Sequence, residues 1–231
     1  ALAPMAPLAQ RAAGAELAGA AGILSSAAMV DLYGQIYEQD DITGNYADAA
    51  DTLRTAYTGE TAQDRMKAIA ELWDGAPNPE ARYSRQVLTA YAAARMPVDG
   101  AFSAQAPDLI AAMLAAGLDE NALRWAPQAD VGSLAWGQLA LAQAARSTPV
   151  DAGALSSFRG NDKSDQYRKS RFLLAGLMGL GRVDEAAARD FAGQLDLDMT
   201  RQTKWTRLID QAADLNNQEL VALLAGLGMQ G

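Results

Sequence analysis

The stretch "LMGLGRVDEAA" (177–187) has the pattern of a helix that ends, turns and starts again. A similar stretch, "MLAAGLDENALRWA", covers residues 113–126. When Gly181 is aligned with Gly117, an apolar residue lies three, four and seven positions before each glycine. Glycine readily adopts the left-handed conformation that ends a helix. The two stretches therefore predict two helical hairpins of the same kind.

An alanine follows each glycine by five positions, Ala186 in one stretch and Ala122 in the other. Alanine favours a helix and has a small side chain, so it allows two helices to approach closely. We expect both alanines to lie at the contact between the two helices of their hairpin.

A third stretch, "IYEQDDITGNYADAADTLRTAY" (36–57), places Gly44 and Ala49 in the same relation. Leu53 follows Ala49 by four positions and Ala56 follows Leu53 by three, which predicts one continuous face of a second helix.

With Tyr33 and Ile36 as the bulky residues of its first helix, this stretch resembles the tetratricopeptide repeat (TPR), a family of stacked helix pairs. The resemblance covers residues 31–60 and extends more loosely to 104–130 and 165–195. The three turn glycines are not separated by multiples of the family's ~34-residue period, so the repeat is irregular.

The resemblance implies an all-α fold, with antiparallel helical hairpins stacked into a short curved solenoid (a TPR-like α–α superhelix). No run of alternating β-branched residues indicates a sheet. We expect a single helical repeat domain over residues 1–231, with a weak internal division near 147–162, where turn-forming residues cluster. The four tryptophans are expected to be core anchors between helix pairs.

The two ends of the chain suggest a longer parent protein. The chain opens with Ala1 rather than methionine, so we expect a processed protein or a fragment, with room for a targeting segment upstream. The last stretch, "VALLAGLGMQG" (221–231), has the first-helix pattern without a second helix. Either the natural chain continues, or the last helix docks on the helix of residues 204–215.

Composition excludes several classes of function. A formal net charge of −9 disfavours a general affinity for nucleic-acid phosphates. The chain has no cysteine and no histidine, so it lacks disulfides, thiolate metal sites and the commonest general base. The acidic stretches at 37–51 and 196–200 fail as calcium loops, and we expect Asp40 or Asp41 near a helix end. We therefore predict no cofactor, no metal, no catalytic residue and no nucleic-acid partner.

The sequence shows no membrane-spanning segment. The longest uncharged apolar stretch near the start, residues 17–30, is shorter than the about 20 residues that a spanning helix needs. We expect a soluble protein of the cytoplasm or the periplasm, two compartments that the sequence does not distinguish.

Basic residues concentrate in one part of this acidic chain. Residues 159–207 hold ten of the 19 basic residues against seven acids, whereas residues 1–158 hold nine against 18 acids. A locally positive face is where an anionic partner would be steered. We predict that a protein or peptide partner, acidic where it makes contact, binds through five residues: Arg168, Arg171, Arg201, Lys204 and Arg207.

The segment "KWTRLIDQAADL" (204–215) predicts an amphipathic helix with Trp205, Leu208, Ile209 and Ala212 on its apolar face. The last three predicted binding residues recur every third position beside that face. Such a stripe could hold an acidic peptide or an anionic polymer. The alternative is an ordinary solvated face whose arginine stems cover the edge of the core.

Three functions remain. The first is a non-enzymatic helical-repeat scaffold that mediates protein–protein or peptide binding, and it follows from the repeat pattern and the missing catalytic residue types. The second is a carboxylate-dependent hydrolase or lyase acting on a glycan, which requires two acids flanking the bond. Glu71 beside Trp73 is the nearest candidate acid, and a surface position is the more common one for a glutamate. The third is a structural spacer in a larger envelope protein.

The fold class can be tested in solution. We expect far-ultraviolet circular dichroism to give a helix content above about half of the residues, against about a third in an average globular domain. A helix content below half would contradict the all-α prediction.

Overall fold

The computed structural model describes residues 6–39, 42–142 and 148–230. It is 73% helix, with thirteen α-helices and three short 3-10 helices. The described ranges contain no strand, and a single isolated bridge pairs Val150 with Val183. The predicted all-α class is confirmed, whereas stacking into a TPR-like solenoid stays a prediction. Asp40 and Asp41 lie outside the described residues.

The chain divides into two compact units, residues 1–124 and residues 125–231. Each unit has its own hydrophobic core, and each is described by itself below. One repeat domain over residues 1–231, with a division near 147–162, stays a prediction.

The first unit contains seven α-helices arranged around the fifth. In chain order they are α1 (Leu8–Ala20), α2 (Ser26–Tyr37), α3 (Asn45–Thr58), α4 (Ala62–Asp74), α5 (Pro79–Ala94), α6 (Ala106–Ala115) and α7 (Asp119–Leu123), with a 3-10 helix at Gly100–Gln105. The central helix α5 packs against α1, α2, α4 and α6. Its residues Ala90, Ala92 and Ala93 are buried, and their small side chains let neighbouring helices approach on several sides.

The second unit contains six α-helices arranged around the third of them. In chain order they are α8 (Leu134–Ala142), α9 (Ala152–Asn161), α10 (Arg168–Gly179), α11 (Glu185–Gln194), α12 (Lys204–Asp214) and α13 (Gln218–Gln230), with 3-10 helices at Ala126–Gln128 and Asp165–Tyr167. The central helix α10 packs against the other five. Its residues Leu173, Leu174 and Leu177 are buried in the core of this unit.

The helices α10 and α13 approach each other at glycines. A Cβ atom added to Gly228 would lie 2.2 Å from Cδ1 of Phe172, and one added to Gly176 would lie 2.5 Å from Cβ of Ala225. Neither position has room for a larger side chain. The last helix packs against α12 as well as α10.

The tryptophans serve the cores as expected. Trp73 and Trp125 are buried, and Nε1 of Trp73 donates a hydrogen bond to Oγ1 of Thr89 at 2.8 Å. Trp136 is half-buried, with its ring centroid 6.2 Å from that of Phe158. A buried tryptophan needs such a partner for its N–H group, and Thr89 supplies it without breaking the apolar packing.

The predicted helix ends at glycine are confirmed for α6 and α10. Gly117 has φ +70° and Gly181 has φ +63°. After α10 the amide of Arg182 donates to the Leu177 carbonyl at 2.7 Å, and the amide of Gly181 donates to the Met178 carbonyl at 3.0 Å. This pair of bonds is the Schellman motif, and α6 ends with the same pair. Three further helices end on a left-handed residue: Gly22, Asp196 and Asn216.

Two details of the predicted hairpins are wrong. Gly44 does not end α2, which stops at Tyr37; it is the N-cap of α3. Ala122 is buried as predicted, but Ala186 is exposed and Ala188 takes the buried place. Two residues correspond to about 200° of helical rotation, so the contact face of α11 lies opposite the expected one.

Helix length agrees with the membrane prediction. The longest described helix, α5, has 16 residues, fewer than the about 20 that span a bilayer. None of the helices in the described ranges is long and apolar enough to cross a membrane.

Arginines from elsewhere in the chain donate to carbonyls near several helix C-termini. Arg182 is buried, and its Nη1 donates to the carbonyl oxygens of Ala140 and Leu141 at 3.0 and 2.6 Å. These carbonyls belong to the last turn of the described part of α8, and that turn carries no basic residue. In the first unit, Nη1 of Arg85 likewise donates at 2.8 Å to the Leu72 carbonyl near the end of α4. A cation at a helix C-terminus is favoured by the helix dipole and supplies donors to unpaired carbonyls.

Replacing Arg182 should loosen α8. The substitution Arg182→Gln removes a charged donor from two buried carbonyls, so we expect the free energy of opening of α8 to fall by about 1.5–3 kcal/mol. Hydrogen exchange of the α8 amides measures this quantity directly. The matched control is Arg189→Gln, because Arg189 is exposed and pairs only with Glu185 one turn away, and its effect should stay below about 0.5 kcal/mol. Equal effects of the two substitutions would contradict the capping role.

Candidate functional site

The five predicted binding residues fall into two groups. Arg168 and Arg171 lie in the first turn of α10 and are half-buried. Arg201, Lys204 and Arg207 lie just before and within the start of α12 and are exposed. We call these last three the cationic stripe.

Arg168 and Arg171 are used inside the second unit. Nη2 of Arg171 donates to the carbonyl of Leu195, the C-cap of α11, at 3.0 Å. Nη1 of Arg168 donates to the carbonyl of Gly228 in α13. Both guanidinium groups therefore cap helix ends, as Arg182 does for α8. These contacts explain their positions without a partner.

The cationic stripe has no such internal role. None of its three side chains makes a hydrogen bond or an ion pair within the described part of the chain. Thr203 and Thr206 form a capping box, so α12 begins at Lys204. A cation in the first helical turn is opposed by the helix dipole. Lys204 therefore does not stabilise the helix that carries it.

Two exposed leucines follow the stripe: Leu208 comes directly after Arg207, and Leu215 is the C-cap of α12. At 100° per residue, Lys204, Leu208, Gln211 and Leu215 fall within an arc of about 60°. Leu208 is 45% exposed and Leu215 is 79% exposed. We call these four residues the outer face of α12. It combines apolar side chains with a neighbouring row of positive charge.

The prediction that Leu208 belongs to the buried face is wrong. Ile209 and Ala212 are buried, and Trp205 is half-buried with its ring at 5.7 Å from that of Phe172 in an edge-to-face contact. These contacts with α10 and α13 cover only one side of α12. Leu208 lies at the margin of that side, and nearly half of its surface remains accessible.

A tight turn positions the start of the stripe. Oδ1 of Asp198 accepts hydrogen bonds from the amide and the hydroxyl of Thr200 at 2.9 and 2.6 Å, and these bonds lower the pKa of Asp198. The Arg201 amide donates to the Asp198 carbonyl at 3.1 Å. This acidic segment therefore shapes a turn. The described residues contain no group of three or more Asp or Glu that could hold a metal ion.

Among the described residues, the carboxylates that a glycan-cleaving enzyme would need are either exposed or already paired. Glu71 is exposed. The side chain of Glu16 is only 17% exposed and pairs with Arg85 at 3.4 Å. The Tyr46 hydroxyl donates a hydrogen bond to Oε2 of Glu16 at 3.5 Å. The pKa values of Tyr33 and Tyr46 are both raised, first by burial and then by the negative charge of Glu16. Glu16 thus belongs to a polar cluster between helices of the first unit.

A buried carboxylate between α9 and α10 was not predicted. Oδ1 of Asp162 accepts from the amide and hydroxyl of Ser164 at 2.9 and 2.5 Å, and Oδ2 accepts from those of Ser170 at 2.8 and 2.7 Å. Burial alone would raise the pKa of Asp162, but the four hydrogen bonds lower it overall. The serine two positions after the aspartate was the available signal, since this spacing favours an Asx turn.

Comparisons with known proteins identify no relative of this chain. No protein-family profile, no curated protein and no solved structure matches the chain.

Replacing Asp162 should destabilise the second unit in a pH-dependent way. We expect Asp162→Asn to lower the free energy of unfolding by about 1–3 kcal/mol at pH 7, because the amide nitrogen cannot accept from the serine donors. The folded-state pKa of Asp162 lies below its unfolded value. The contribution of the Asp162 carboxylate to the free energy of unfolding is therefore fully present above about pH 4, and it is lost as the pH falls through the folded-state pKa.

The measurement is urea denaturation of both proteins at pH 7 and at pH 3. The difference between them should be smaller at pH 3. Asp165→Asn is the matched control, since Asp165 is exposed and lies three positions away. A difference that is the same at both pH values would show that the Asp162 charge does not stabilise the fold.

Proposed function

We propose that the protein is a non-enzymatic binding module, and that the outer face of α12 and the cationic stripe hold an acidic helical segment of a partner protein. The observation that supports this proposal is the stripe itself. Three exposed cations have no partner in the described residues, and the helix that follows them carries two exposed leucines, in a chain of net charge −9.

The chemistry of the surface defines the partner. Leu208 and Leu215 are seven residues apart, a spacing of two helical turns that matches apolar residues of a second helix. Carboxylates flanking those apolar residues would pair with Arg201, Lys204 and Arg207. Such rim charges mainly raise the association rate and select the partner, while the leucines contribute the apolar contact.

The position of Lys204 favours binding over stability. A basic residue at the start of a helix costs about 0.3–1 kcal/mol through the helix dipole. An acidic partner helix would offset that cost. Residues that reduce local stability are often found at functional sites. Lys204 is such a residue, and it lies on the proposed binding surface.

The glycan-cleaving alternative has less support. A general acid needs a raised pKa, and the pKa of the buried Asp162 is lowered. Glu16 has an arginine partner. No observation in the described part of the chain specifically favours two cooperating carboxylates.

The test uses a designed peptide of about 18 residues, with leucine every three to four positions and glutamates between them. A second peptide of the same pattern, with lysine in place of glutamate, controls for charge. We expect the native protein to bind only the glutamate peptide in fluorescence anisotropy, and more weakly as salt rises.

Reversing the stripe in Arg201→Glu/Lys204→Glu/Arg207→Glu should weaken binding of the glutamate peptide at least about tenfold, at about 0.5–1 kcal/mol for each charge. Thermal unfolding should change little. The matched control reverses three exposed cations of the first unit: Lys67, Arg95 and Arg124.

The variant Leu208→Ser/Leu215→Ser distinguishes the apolar contribution to binding from the electrostatic one, because it removes apolar contact without changing charge. We expect it to weaken binding while preserving the salt dependence. Equal binding by the stripe variant and its control, or no binding by the native protein, would overturn the proposal and favour the spacer function.

A further inference from the structure

A small pocket lies between the end of α9 and the start of α10, separate from the α12 surface. Its volume is about 320 Å³, at the lower end of the range of about 300–1,000 Å³ for ligand pockets. Leu134 and Phe158 supply apolar walls, and Lys163 and Lys169 supply positive charge. Asp162 also lines the pocket.

Some polar groups of the pocket already have hydrogen-bond partners and others do not. Both oxygens of Asp162 already accept hydrogen bonds from serines, as described above. Nζ of Lys163 donates to the Gly160 carbonyl at 3.1 Å, which leaves two of its three donors. The ammonium of Lys169 has no partner among the described residues. The pocket therefore lacks acceptors rather than donors.

The loop that carries Lys163 and leads to Lys169 at the start of α10 is held in a defined shape. Gln166 and Tyr167 have φ values of +49° and +54°, a conformation that residues other than glycine rarely adopt. The guanidinium of Arg159 lies 4.6 Å from the centre of the Tyr167 ring. The Lys169 amide donates to Oγ of Ser164 at 3.0 Å. These contacts order the loop before any ligand arrives, which reduces the entropy cost of binding.

We infer that this pocket binds a small organic anion with an apolar body about the size of a benzene ring. The carboxylate or phosphate group of such a ligand pairs with Lys163 and Lys169, and its apolar part packs on Leu134 and Phe158. A cationic ligand would meet two ammonium groups and a carboxylate without free acceptor positions. An uncharged apolar ligand would leave the lysine donors unpaired.

The experiment is a titration of the native protein, followed by amide chemical shifts in nuclear magnetic resonance. The probes are benzoate, phenyl phosphate and the uncharged benzamide. We expect saturable shifts confined to residues 132–137 and 158–170 with benzoate or phenyl phosphate, and none with benzamide. The stronger of the two anions identifies the charged group.

Variants assign the binding to the lysines. Lys163→Gln and Lys169→Gln should each weaken binding of the stronger anion at least fivefold, and Lys67→Gln in the first unit should leave it unchanged. Lys163 is exposed, so its substitution tests the inference even if Lys169→Gln perturbs the fold. Saturable binding of benzamide at the same affinity, unchanged affinity in Lys163→Gln, or no saturable shift with either anion would overturn the inference.

Discussion

A helix that ends inside a protein leaves its last carbonyl groups without donors. In the second unit the donors are guanidinium groups from α10 and from the turn that follows it. Arg182 caps α8, Arg171 caps α11 and Arg168 reaches α13. None of these three helices has a basic residue in its own last turn. The central helix and the turn that follows it therefore supply both the apolar surface on which the neighbouring helices pack and the charged donors at the ends of those helices.

This use of arginine divides the basic residues into two classes. In the second unit, Arg168, Arg171 and Arg182 have backbone carbonyl partners within the fold. The side chains of Arg201, Lys204 and Arg207 at the start of α12, and that of Lys169 at the pocket between α9 and α10, have no hydrogen-bond or ion-pair partner in the described part of the chain. Charge distribution along the sequence indicates a positive region but does not separate these classes. The separation is what makes the cationic stripe a specific proposal, since a charge without an internal partner is available to an external one.

Local signals in the sequence predicted the all-α class and the helix ends at Gly117 and Gly181, because a glycine after an apolar periodic run has a direct conformational meaning. The same ends at Asp196 and Asn216 carried no glycine and were not predicted. Which residue of a helix is buried depends on the neighbours around it. A shift of the contact face therefore left Ala186 exposed.

The candidate site was predictable only in part, for the same reason. A spacing of three residues predicted that Arg201, Lys204 and Arg207 form a stripe beside one face of a helix. All three are exposed, but Arg201 precedes α12, which begins at Lys204. The roles of Arg168, Arg171 and Asp162 depend on partners that are distant in the sequence or belong to a folded loop. Arg168 lies 60 residues from the carbonyl that it contacts. No periodicity in the sequence carries that information.

The long-range caps also limit how a chain of this kind can be rearranged. In an ideal array each repeat contacts only its neighbours, so repeats can be duplicated or deleted at small cost. Here the hairpin containing α10 supplies donors to α8, 41 and 42 residues earlier in the sequence, and to α13 near the end of the chain. Removing or inserting a hairpin between these points would separate buried carbonyls from their arginines. Changes at loops and outer surfaces leave these hydrogen bonds in place, whereas we expect a change in the number of hairpins within the second unit to break them.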